Sequence, residues 1–203
     1  MSSIFSDPFF RRGSTLLGGE AIELDAGGNP VAGREVVGQV KAFQDVSPTG
    51  AGERWSNRLN FCIAVRWTGG DVVDSTANRA SGAYPAGRLY KFSDANPLTE
   101  VDVPAVGSMH DAGKLIGVID EYLTGDLRDK DIVWLVVKGP VTVATDSGNP
   151  LSAGDAVFVD GAPGQITDPA SATVGKSAGT IGLAIKATDA SAKTRINLSS
   201  DII

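Results

Sequence analysis

Gly175, Ser177 and Gly179 have the letters of a G-x-S-x-G nucleophile elbow. That device needs a helix after the serine and a histidine later in the chain to take the hydroxyl proton. Here the run Thr180 to Lys186 reads as a strand, and the single histidine, His110, precedes the serine. The same stretch ends as a phosphate-binding loop ends, with Gly175, Lys176 and Ser177. Ala170 stands where the first glycine must let backbone amides wrap the phosphate, and no helix follows. One histidine and one cysteine cannot supply the usual ligand set of a transition metal within one chain. The acidic loops, Asp126 with Asp129 and Asp131, and Asp146 with Asp155 and Asp160, lack the spacing of a calcium-binding EF-hand. Trp55, Trp67 and Trp134 lie in or beside strand-like runs and read as core, not as the walls of a sugar cleft. The residues point to a protein that is not an enzyme, with no catalytic, cofactor-binding or metal site and no cofactor.

The elements that would have to position any site are strands. The 203 residues include 25 glycines and 10 prolines, spread between short apolar runs, which implies many turns joining many short strands. Strands are predicted at Glu20 to Leu24, Val36 to Phe43, Arg58 to Trp67, Gly87 to Phe92, Leu115 to Tyr122, Ile132 to Val143, Ala156 to Val159, Thr180 to Lys186 and Arg195 to Leu198. Only Val72 to Ala80 has the pattern of a short helix. The expected fold is all-β, with barrel- or sandwich-like modules. Cys62, inside the run Leu59 to Val65, reads as a small buried hydrophobe of a chain made in a reducing compartment.

An internal echo suggests duplication. Ala86 to Asp94 resembles Ala153 to Gly161, Leu98 to Glu100 parallels Ile166 to Asp168, Ala112 to Gly117 parallels Ala178 to Gly182, and Asp131 to Leu135 parallels Arg195 to Leu198. The elements keep their order at a spacing of about 65 residues. The division that follows is an arm over 1–19, an N-terminal β region over 20–83, and two β modules over 84–140 and 141–203, the closing element echoing a third time from Ala32 to Gly38 and Asn57 to Val65. The arm has apolar residues without regular spacing and is interrupted by Pro8, Gly13, Gly18 and Gly19. Phe5, Phe9, Phe10, Arg11 and Arg12 are therefore the candidate interface, since aromatic and arginine side chains dominate protein–protein hot spots.

Eighteen basic against 24 acidic residues give a net charge of −6 and a pI near 4.7, which opposes nucleic-acid binding. The longest apolar run, Ile132 to Val137, is far too short to span a membrane as a helix. The N-terminus has no secretion-signal pattern.

From about Val133 onward the chain resembles bacteriophage capsid cement, or decoration, proteins. The features are Val136 to Val143, Leu151 to Gly161, Gly164 to Asp168, Gly179 to Ala187, and the ending Ala192 to Leu198. The resemblance covers the last third, and more loosely the repeat before it; the N-terminal half departs from the family's short form. It implies a protein made in the host cytoplasm that docks on the outer surface of an assembled phage head. There it would stabilise contacts between copies of the major capsid protein, as a homo-oligomer, a trimer before a dimer. The alternatives are another virion structural component (tail, head-completion or fibre-base) and a β-rich carbohydrate-binding module.

Overall fold

The computed structural model describes residues 37–46, 54–69, 86–93, 95–96, 98–104, 116–119, 123, 131–159, 162–168, 170 and 180–199. The arm, the strand predicted at 20–24, and the helix predicted at 72–80 lie outside them.

The fold is all-β, one ten-stranded sheet with no helix among the described residues. In chain order its strands are β1 (Val40–Val46), β2 (Arg54–Trp67), β3 (Leu89–Phe92), β4 (Glu100–Pro104), β5 (Ile116–Ile119), β6 (Ile132–Ala144), β7 (Ala156–Val159), β8 (Ile166–Thr167), β9 (Gly182–Ala184) and β10 (Lys193–Ser199). The spatial order is β1-β2-β4-β3-β5-β6-β10-β9-β7-β8, and β2 also pairs with β6. That extra pairing closes β2, β4, β3, β5 and β6 into a circuit. β2 meets β4 in parallel at Arg66 and Trp67, and the remaining joints are antiparallel.

A second circuit follows the same plan. β6, β10, β9, β7 and β8 pair in turn, and a parallel bridge between Thr145 and Ile166 returns to the end of β6. Individual backbone hydrogen bonds recur in matching places. Thr68 N–H to Val101 C=O is repeated by Asp146 to Ile166, and Trp67 to Asp131 by Thr145 to Ala192. Gly87 to Ile119 is repeated by Gly154 to Ala184, Ile119 to Arg88 by Ala184 to Asp155, and Thr99 to Asn96 by Gln165 to Ala162. β6 belongs to both circuits. Its first half pairs with β2 and β5, its second half with β10, and it runs without a break through residue 140.

Pairing also corrects the alignment of the echo. Ile119 faces Leu135, and its counterpart Ala184 faces Ile196, so Leu135 corresponds to Ile196. The sequence echo instead set Ile132 against Ile196 by matching letters.

Alternation along each strand sorts side chains to two sides. Ile63, Val65, Trp67, Tyr90, Phe92, Val101, Ile119, Val133, Leu135 and Val137 form one buried cluster, the inside of the first circuit. A second cluster joins their counterparts in the second circuit, such as Val141, Val143, Val157, Ile166, Ile196 and Leu198, to the outward residues of the first, such as Leu89, Val118, Trp134 and Val136. The outer side of circuit one is thus continuous with the core of circuit two.

Candidate interaction surfaces

The five arm residues Phe5, Phe9, Phe10, Arg11 and Arg12 lie outside the described residues, as do His110 and the Gly175–Gly179 stretch. The acidic loops fall partly within them and serve backbone turns. Asp146 accepts from the Gly148 N–H at 3.0 Å and from the Asn149 amide, and Asp155 accepts from the Ser152 N–H at 2.7 Å. Asp189 accepts from the Ser191 and Lys193 N–H groups at 2.8 and 3.0 Å. Such side-chain caps hold tight turns in place of a backbone partner. No cluster of three or more metal-ligating side chains occurs among the described residues.

Cys62 is buried on β2 and free of any disulfide. Trp67 and Trp134 are core residues, 4% and 3% exposed. Trp67 meets Tyr90 edge-on, with ring centroids 5.4 Å apart and planes at 83°. Burial pushes the Tyr90 phenol well above its ordinary range, and the nearby Arg88 charge opposes this only in part. At the place of Trp67 the second circuit has Thr145. Its hydroxyl donates to Thr194 at 2.7 Å, and Thr194 is 2.7 Å from Thr188, which holds the Leu151 N–H at 2.7 Å. A short hydroxyl chain thus replaces an aromatic pair. Asn60 and Thr167 bury polar atoms that have no hydrogen-bond partner among the described residues, but they lie on β2 and β8, which do not pair. They form no shared polar centre.

One charged contact was missed at the level of sequence. Asp45 on β1 forms an ion pair with Arg195 on β10, both side chains buried, and Arg195 also donates to the Thr142 hydroxyl at 3.2 Å. The available signal was period: Asp45 stands two residues beyond Phe43, on the same side of a strand whose other inward residue is aromatic. Phe43 in turn meets Trp134 edge-on at 5.1 Å and 70°.

What the surface offers is contact area. Among the described residues Val40, Leu59, Leu98, Leu183 and Ile185 are the large exposed apolar side chains, with Leu183 the most open of them at 53%. They are scattered over β1, β2, the β3–β4 turn and the β9 region, and isolated apolar residues of this kind are ordinary on a protein surface.

No family model matches the chain, and no curated protein matches it. Among solved structures it is similar to the crystal structure of the N base of head fiber gp8.5 in bacteriophage phi29. The identity is 15% and the TM-score 0.39, over 68% of this chain and 92% of that one.

Proposed function

We propose that this chain is a structural component of a bacteriophage virion and, more specifically, a cement protein on the outer surface of the head. One observation carries the reading: the segment that resembles cement proteins, from about Val133 to Leu198, coincides with a complete strand circuit, β6 to β10, and not with fragments of several elements. Cementing asks for a rigid body and complementary contact area repeated over many copies, where modest energy per site grows through multivalency. The aromatic and arginine side chains Phe5, Phe9, Phe10, Arg11 and Arg12 supply the shell contact, with the major capsid protein as partner and copies of the chain arranged around a symmetry axis of the shell.

The test is to add purified protein to expanded, genome-free heads of the phage that encodes it. Stoichiometric binding and a rise in the shell melting temperature are expected. The chain lacking residues 1–19 should keep its far-ultraviolet spectrum and melting temperature but lose shell binding. Binding to tails or to glycans in place of heads would reject the cement reading.

A further inference from the structure

β1 stands apart from the rest of the sheet. Both circuits close through β2 to β10 without it, and among the described residues it pairs with β2 alone. Its register breaks between Gln44 and Val46. Yet two of its side chains, Phe43 and Asp45, reach across both circuits. Phe43 covers Trp134 on β6, and Asp45 meets Arg195 on β10. Trp134 and Arg195 occupy corresponding places, one residue before Leu135 and Ile196 respectively. One strand therefore touches the same position of each circuit, an indole in one and a guanidinium in the other, with matched chemistry each time.

We propose that β1 is a clasp that binds the two circuits together from outside and opens as a unit while both stay closed. Elements held along one edge open at lower free energy than strands paired on both sides. The opened form would lose the Phe43 cover of Trp134 and the Asp45 partner of Arg195, residue types that anchor protein contacts.

Hydrogen exchange of the intact chain in sub-denaturing guanidinium tests this. Amides of residues 40–46 should exchange through an opening at least about tenfold more populated than the one releasing residues 132–137. Asp45→Asn should raise exchange of 40–46 on the order of tenfold or more while leaving 89–92 and 116–119 unchanged. One common opening for all strands in the unmodified chain would overturn the proposal, as would an equal rise everywhere in the variant. If Asp45→Asn does not fold, the unmodified chain alone decides.

Discussion

Asp45 and Arg195 come from strands near opposite ends of the chain and meet where water is excluded. Desolvating two charges costs several kcal/mol, so such a pair specifies a contact more than it strengthens the fold. The matching place in the first circuit shows the apolar solution, since Trp134 is covered there by Phe43. Asp45→Ala removes one partner from a buried pair and should destabilise by about 3 to 5 kcal/mol, read from the urea midpoint. Replacing both, Asp45→Phe with Arg195→Trp, copies the aromatic pair into the second circuit. It should return stability to within about 1 to 2 kcal/mol of the original. A double variant as unstable as the sum of its singles would mean that the two places are not physically alike.

At the scale of the element, the strands legible in the sequence were those with continuous or alternating apolar runs, β6 and β7 above all. β4 was not read as a strand. Its text, Glu100-Val-Asp-Val-Pro104, is short, charged and closed by proline, and only pairing with β2 and β3 makes it one. β8, two residues long, is likewise defined by tertiary contact. The Asp45–Arg195 contact was hidden for a related reason: inward charges become visible only when two distant strands are laid against each other. The candidate arm, by contrast, rested on composition alone. Repeat glycines were legible as places of close approach, and the structure separates two of them. Gly117 lies opposite Tyr90, and Gly182 opposite Val157, in matching pairs. A Cβ on Gly117 would lie 2.6 Å from Cγ of the fully buried Leu135 side chain and 3.0 Å from the Val136 carbonyl oxygen, whereas on Gly182 it would lie 2.4 Å from the Asn197 carbonyl oxygen, a backbone atom held in the β9–β10 ladder. Gly117→Ala should therefore cost about 1 to 2 kcal/mol and Gly182→Ala about 3 kcal/mol or more, measured by thermal denaturation. Equal losses would show that the backbone around β9 yields as easily as a leucine side chain.

For the molecule as a whole, the shared strand decides how the circuits communicate. The outward residues of circuit one are apolar and sealed by circuit two, as with Val118, Ile132, Trp134 and Val136. The corresponding residues of circuit two are Leu183, Lys193, Arg195 and Asn197, three of them polar, so this side of circuit two is more polar than that of circuit one. Circuit one thus needs circuit two to cover it, and circuit two needs circuit one for half of β6. Neither can melt while the other stays native. Trp67 lies in the core of the first circuit and its fluorescence reports that circuit, whereas Trp134 faces the second circuit and Phe43 of β1, and far-ultraviolet dichroism reports all the strands. In urea, after a small early step in which β1 opens and Trp134 loses its Phe43 cover, the two signals should follow one main transition with a common midpoint. The Arg195→Trp side chain of the double variant places a probe in the second circuit, and its transition should fall at the same midpoint as well. A dichroism loss larger than β1 alone can supply, running ahead of the tryptophan signal, would mean that the second circuit unfolds alone and that β6 is a hinge between independent bodies, not their common wall.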